Sequence, residues 1–141
     1  MVRLKKHWII VFALLGIALV AVAAFVFAKQ SGEIEAGPGI QIISPSEARA
    51  KMNERQDAFV LDVRSPEEFY VRRIPGAINI HYQRIVLEQN RLPQNKNMPI
   101  LVYCNTYVRS ASAAVDLLEM GYTNIFIFPG MRFWEYETVS G

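Results

Sequence analysis

The chain has 141 residues, 52% of them hydrophobic and 20% charged, with a formal net charge of +2. This composition excludes an intrinsically disordered protein, and the length suits one ordinary domain with an accessory segment. Without Arg3, Lys5 and Lys6, the 15 basic residues become 12 against 13 acidic ones, a net charge of about −1, so no excess of cations remains to bind the phosphates of a nucleic acid.

The segment Trp8–Ala28 contains no charged residue and is long enough, as a helix, to cross a hydrocarbon core of about 30 Å. Basic residues precede it and Glu33 and Glu35 follow it, so the positive-inside tendency predicts a cytoplasmic N-terminus. A signal peptide cleaved near Ala21-Val22-Ala23 or Val26-Phe27-Ala28 is the alternative. We therefore predict that residues 1–29 are a transmembrane anchor or a signal peptide. The domain is expected at the cell membrane, facing outside the cytoplasm, or secreted or periplasmic after cleavage.

Residues 30–39 are rich in glycine and polar residues without periodicity, which predicts a linker to a domain over residues 40–141. In that domain, strand-like apolar runs alternate with helical patterns. Strands are predicted at 40–43, 58–63, 77–80, 100–103 and 125–128, and helices from 45, from 66, around 85–90 and at 109–120. Phe133, Trp134 and Tyr136 are expected to pack the last helix. This alternation predicts an α/β fold of three layers with a largely parallel sheet covered on both faces.

Three boundaries carry local signals of their own. Ser44-Pro45-Ser46-Glu47 and Ser65-Pro66-Glu67-Glu68 each place a serine at the N-cap, a proline at the first helical position and a glutamate at the third. This pattern predicts a capping box at both helix starts. Gly121 follows the longest predicted helix and is expected to terminate it.

Cys104 is the only cysteine, and His7 and His81 are the only histidines, which excludes an intrachain disulfide and a Cys/His zinc cage. A lone cysteine is often a small buried apolar residue. Cys104, however, ends a predicted buried strand, and Arg109 opens the next predicted helix. Ligands of open α/β sheets bind at this end of the strands, where a helix N-terminus and an arginine favour anions and thiolates. The position predicts a reactive thiol.

The chain resembles a single-domain rhodanese from about Ser44 to Trp134. Residues 61–69 (LDVRSPEEF) are similar to that family's D-x-R-x-x-x-E-[FY] stretch, and residues 74–80 (IPGAINI) to its I-P-G-A-x-N-[ILV] motif. The Cys104 loop, residues 118–122 (LEMGY) and residues 130–134 (GMRFW) continue the resemblance. The loop is C-x4-R, shorter than the C-x5-R loop of cysteine phosphatases and arsenate reductases, and this length favours sulfur chemistry.

The resemblance implies a sulfurtransferase of the thiosulfate sulfurtransferase type. Cys104 would take sulfane sulfur from a small donor such as thiosulfate, hold it as a persulfide, and pass it to cyanide, a small thiol or a protein thiol. No metal or organic cofactor is implied. The resemblance also implies a substrate-binding loop and three supporting side chains; the loop residues are Asn105, Thr106, Tyr107, Val108 and Arg109, and the supporting residues are Asp62, Arg64 and Glu68.

Two loop residues depart from the family pattern. Tyr107 stands where the family commonly has glycine, and Asn105 where it often has a second arginine. A tyrosine at a position that suits glycine either strains the loop or reshapes it, and one arginine fewer weakens the attraction for a dianion. These departures leave a catalytically silent binding module or a thiol redox sensor as alternative functions.

Overall fold

The computed structural model describes residues 39–54 and 58–141. This part of the chain contains five strands, three α-helices and two 3-10 turns. In chain order they are β1 (Ile40–Ile42), α1 (Pro45–Glu54), β2 (Phe59–Asp62), α2 (Pro66–Val71), β3 (Ile78–Asn79), the turns Tyr82–Arg84 and Gln89–Arg91, β4 (Ile100–Tyr103), α3 (Val108–Glu119) and β5 (Ile125–Phe128).

The five strands form one sheet in the order β1-β5-β4-β2-β3, and every pairing is parallel. Successive side chains of a strand point to opposite faces, so the apolar strands feed two separate cores. On one face α3 packs through Ala113, Ala114 and Leu117. On the other face the sheet packs against Ala48 of α1 and Phe69 of α2. The predicted three-layer α/β fold is confirmed.

The predicted membrane anchor lies outside the described residues. Across 39–54 and 58–141, no helix has the length and apolar character needed to span a bilayer.

The predicted helix caps are confirmed. The amide of Ser65 donates to Glu68 Oε2 at 3.1 Å, and the amide of Glu68 donates back to Ser65 Oγ at 3.3 Å. Ser44 and Glu47 make the same reciprocal pair at the start of α1. After α3, Gly121 adopts φ +88°, the left-handed conformation that ends helices.

The helix predicted around residues 85–90 is wrong. The segment instead has a four-residue turn between the two 3-10 turns. Only Ile85 and Leu92 enter the core, while Val86 and Leu87 are exposed. Two anchors seven residues apart do not supply the apolar stripe that stabilises a short α-helix against the sheet.

The prediction that Phe133, Trp134 and Tyr136 pack the last helix is also wrong, because the chain after β5 runs through turns and Trp134 joins the core on the face opposite α3. Trp134 is nevertheless buried, with its ring centroid 5.7 Å from that of Phe128 and its Nε1 donating to the Glu137 carbonyl at 3.1 Å. Phe133 is exposed. One aromatic anchor and one indole hydrogen bond hold this segment against the sheet without a helix.

Candidate active site

Three loops meet at one edge of the sheet because the strands that precede them end in register. Asp62 pairs with Tyr103, and Tyr103 pairs with Phe128, at the carboxyl ends of β2, β4 and β5. The loop after β5 runs beside the loop after β4, since Met131 N donates to Cys104 O at 2.9 Å and Arg132 N donates to Asn105 O at 3.3 Å. This edge is where parallel α/β sheets bind ligands.

Cys104 follows β4 directly and is 1% exposed. Its Sγ lies 3.6 Å from the hydroxyl of Ser110 in the first turn of α3, and that hydroxyl donates to the Tyr107 carbonyl at 3.0 Å. Sequence reasoning missed Ser110. The signal was present, because Ser110 shares the spacing i, i+3, i+4, i+7 with Ala113, Ala114 and Leu117, the buried face of α3.

Tyr107 is the N-cap of α3, with φ −126° and ψ −26°, and its side chain makes no capping hydrogen bond. Of the two expectations for this residue, strain is excluded, because this φ is ordinary for a tyrosine. The helix begins at Val108, one residue earlier than predicted. The side chains of Tyr107 and Val108 are both exposed. The first amides of α3 are therefore left without a side-chain acceptor from the N-cap, next to the Cys104 loop.

Glu68 connects α2 to this loop. Its Oε2 accepts from Arg109 Nη1 at 2.6 Å, and its Oε1 accepts from Arg109 Nη2 at 2.9 Å and from Asn105 Nδ2 at 2.7 Å. These contacts, with the hydrogen bond from Arg109 as the largest cause, lower the pKa of Glu68 to about 2. The same pairing raises the pKa of Arg109, to which the neighbouring Cys104 contributes further. The guanidinium of Arg109, which the sequence predicted as a positive charge beside Cys104, is thus fixed in a bidentate ion pair with Glu68.

The ion pair of Asp62 and Arg64 connects the end of β2 to the C-terminus of α2. Both are buried, and Arg64 Nη2 lies 2.5 Å from Asp62 Oδ2. The same nitrogen donates to the Arg72 carbonyl at 2.6 Å, just beyond the C-terminus of α2. The end of β2 therefore fixes α2, and α2 carries Glu68 to the loop.

The pKa of Glu68 predicts a pH dependence of stability. A carboxyl group with a folded-state pKa of about 2 and an ordinary value of 4.5 stabilises the fold above about pH 4.5 and loses this contribution as the pH falls toward 2. Its side chain is 31% exposed, so after solvent screening we expect about 1–2 kcal/mol. Urea unfolding between about pH 5 and pH 2 should therefore show a smaller loss of unfolding free energy in Glu68→Gln than in the wild type.

Glu67→Gln is the matched control, because Glu67 is next in sequence but makes no contact with Arg109 or Asn105 among the described hydrogen bonds. It should keep most of the wild-type pH dependence. Equal curves for Glu68→Gln and the wild type would contradict the assignment of the ion pair.

A cleft of about 770 Å³ lies beside the Cys104 loop. Its walls come from the region of α2, from the loop itself and from the segment after β5; they are Arg64, Glu67, Glu68, Val71, Arg72, Asn105, Thr106, Met131 and Arg132. The structure thus places Asn105, Thr106, Arg64 and Glu68 at the cleft, whereas Tyr107 is the N-cap of α3 and Val108 is its first residue. The sequence analysis did not identify Arg72 and Arg132, because no motif marks either residue as a binding residue.

This protein has a parallel sheet in which a central strand ends at a buried cysteine, and a short loop and a helix follow that cysteine. This arrangement makes it an α/β protein with its candidate site at the carboxyl ends of the strands. The profile of the Rhodanese-like domain matches residues 44–132. The chain belongs to this family.

Three bacterial relatives are similar over most of the domain. YqhL of Bacillus subtilis, described as an uncharacterized protein, is 31% identical over 114 residues, which are 81% of this chain and 86% of that protein. Thiosulfate sulfurtransferase PspE of Escherichia coli is 37% identical over 81 residues, 57% of this chain and 78% of that protein. YrkF of Bacillus subtilis is 30% identical, and the match covers 79% of this chain but only 61% of YrkF.

Among solved structures, a rhodanese with anions from Escherichia coli is 33% identical with a TM-score of 0.50, covering 60% of this chain and 99% of that one. A rhodanese-related protein of Thermoplasma volcanium has a TM-score of 0.61 at 24% identity, covering 70% of this chain and 97% of that one. The second likeness concerns the fold alone.

Proposed function

We propose that this protein is a sulfurtransferase that moves sulfane sulfur from a donor such as thiosulfate to a thiophilic acceptor through a persulfide on Cys104. The observation that carries the proposal is the position of Cys104, at the carboxyl end of β4 and directly before the N-terminus of α3, whose first turn has no side-chain cap. The sulfurtransferase name of the relative PspE supports it.

The proposed reaction has two displacements at sulfur. The Cys104 thiolate attacks the outer sulfur of thiosulfate, a new S–S bond forms, and the old S–S bond breaks with its electron pair leaving on sulfite. An acceptor thiolate then attacks the outer sulfur of the persulfide, and Cys104 leaves as a thiolate. Sulfur is the group transferred, and the two steps balance without another oxidant or reductant.

The residues around Cys104 suit these steps. The first amides of α3 and the positive end of its dipole would stabilise the anionic sulfur species and the donor. The Ser110 hydroxyl, 3.6 Å from Cys104 Sγ, can turn from the Tyr107 carbonyl toward a thiolate. Glu68 acts as a positioning residue, because it binds both Asn105 and Arg109 and so sets the shape of the loop.

The test is the mass of the purified protein after incubation with thiosulfate. We expect the intact mass to increase by one sulfur atom and to return to its starting value after treatment with cyanide or dithiothreitol. Sulfite should be released in equal amount. An unchanged mass, with Cys104 shown to react with a thiol reagent under the same conditions, would rule out the proposed function.

The burial of Cys104 favours a second candidate, a catalytically silent rhodanese-like binding module. Only 1% of the residue is exposed, whereas reactive cysteines generally lie in partially exposed sites and buried structural cysteines are inert. This candidate predicts no sulfur adduct and no effect of Cys104→Ser on the cellular phenotype. A redox sensor would instead form a sulfenic acid with peroxide faster than a free thiol does.

We also propose that the Trp8–Ala28 segment anchors the domain in the cell membrane with the domain outside the cytoplasm, a proposal that the apolar sequence and its flanking charges support. In membrane fractions, the full chain should resist extraction at high pH, and the domain should be digested by protease added outside intact cells or spheroplasts. Recovery of a chain that begins after residue 28 in the soluble fraction would indicate signal cleavage instead.

A further inference from the structure

The cleft beside the Cys104 loop is much larger than an inorganic sulfur donor. Its volume of about 770 Å³ falls in the range of about 300–1,000 Å³ that is typical of sites for drug-sized molecules. The donor needs only the sulfur of Cys104 and the adjacent amides of α3. The remaining space therefore suits the body of a larger molecule whose reactive end reaches the Cys104 loop.

The charges on the cleft walls are not balanced. Two lining charges have partners in the fold, since Arg64 pairs with Asp62 and Glu68 pairs with Arg109. The remaining charged residues of the cleft are two cations, Arg72 and Arg132, and one carboxylate, Glu67. Within the described residues, neither Arg72 nor Arg132 forms an ion pair.

Within the part of the chain that the structure describes, Arg72 and Arg132 each contact the fold in a way that leaves guanidinium N–H donors free for a ligand. Arg72 spans the cleft, with Nη2 donating to the carbonyl of Met131, so its other N–H groups remain for a ligand. Arg132 is held by its backbone, whose amide donates to Asn105 O, and its guanidinium lies 5.8 Å from the ring centroid of Phe133. Guanidinium groups can bind carboxylates in a bidentate manner through two parallel N–H donors.

We propose that the cleft selects the acceptor, and that the acceptor is a carboxylate-bearing thiol of about tripeptide size, recognised by Arg72 and Arg132. This inference rests on the proposed function and specifies its substrate class. The acceptor thiolate attacks the outer sulfur of Cys104–S–SH, the bond between the two sulfurs breaks with its electron pair leaving on Cys104, and the acceptor departs as its own persulfide.

The experiment starts from full-length protein already loaded with one sulfur atom, as verified by intact mass, and measures a single turnover. The probes are the tripeptides acetyl-Asp-Cys-Asp-amide and acetyl-Asn-Cys-Asn-amide, which match in size and differ in charge. In Arg72→Gln/Arg132→Gln, the rate for the acidic peptide relative to the neutral one should fall about tenfold, with each arginine contributing a few-fold. Comparing variant with wild type cancels the intrinsic reactivity of the two thiols.

Three controls separate recognition from folding. Arg84→Gln, which removes an exposed arginine paired with Glu88 outside the cleft, should leave the ratio unchanged. Arg72→Lys/Arg132→Lys should recover only part of the ratio, since the charge is kept but the bidentate geometry of the guanidinium is lost. High salt should reduce the wild-type ratio toward that of the glutamine variant.

The outcomes are distinct for the two proposals. No loading with sulfur contradicts the proposed function. Normal loading with an unchanged ratio, or with equal slowing of both peptides, overturns the role of the arginines. The Asp-Cys-Asp sequence within a longer Gly/Ser peptide separates a small thiol from a protein thiol: faster reaction of the tripeptide supports our inference, and faster reaction of the long peptide overturns it.

Discussion

Cys104→Ser is expected to abolish sulfur loading and to reduce sulfur transfer from thiosulfate by at least about a thousandfold, as when an enzyme loses its covalent nucleophile. Cys104 is the only cysteine, so no other thiol of the chain can carry the sulfur. Intact mass and sulfite release measure the loss directly.

The serine variant should remain folded, because the two side chains have similar size and the Ser110 hydroxyl already gives the site a polar neighbour, 3.6 Å from Cys104 Sγ. Thermal unfolding provides this control. Transfer within about tenfold of the wild-type rate in a folded Cys104→Ser protein would show that sulfur does not pass through Cys104.

Gly130→Ala is expected to destabilise the fold by about 3 kcal/mol and to lower the melting temperature by more than about 10 °C. A Cβ at residue 130 would overlap the carbonyl oxygen of Cys104 and would stand 2.5 Å from Cδ2 of Tyr103. Tyr103 is fully buried and cannot withdraw. The loop after β5 would therefore be pushed away from Cys104, and sulfur loading should slow even at temperatures where the variant is folded.

Gly121→Ala is the matched control. Its φ of +88° makes an alanine unfavourable by about 1 kcal/mol, but no atom stands within 4 Å of the added Cβ. It should lower the melting temperature by less than Gly130→Ala and leave sulfur loading unchanged. If the two variants lost equal stability, close packing against Cys104 would not be the reason for glycine at residue 130.

Much of the fold could be predicted from local signals. The strands Ile100–Tyr103 and Ile125–Phe128 occur at the predicted residues, because short runs of buried β-type residues between turn residues favour a central strand. The two capping boxes were evident for a similar reason, since a cap involves residues only three positions apart. The helix predicted near Ile85 failed because its apolar residues do not all face the core.

The candidate site was predictable only in part. The position of Cys104 followed from the strand, the loop and the helix around it. The pairing of Glu68 with Arg109 joins residues 41 positions apart, and the cleft arises only where α2, the Cys104 loop and the segment after β5 meet. No local pattern encodes such distances, because they depend on how the strands stack in the sheet.

The sequence by itself determined the α/β class, the sheet strands, the helix caps and the atom expected to react, since each depends on a short run of residues and its hydrophobic period. The tertiary structure decided how that atom is surrounded. It buried Cys104 against Ser110, engaged Arg109 with Glu68, and left Arg72 and Arg132 at the cleft. These features depend on parallel strands ending in register, which brings separate loops together at one edge of the sheet.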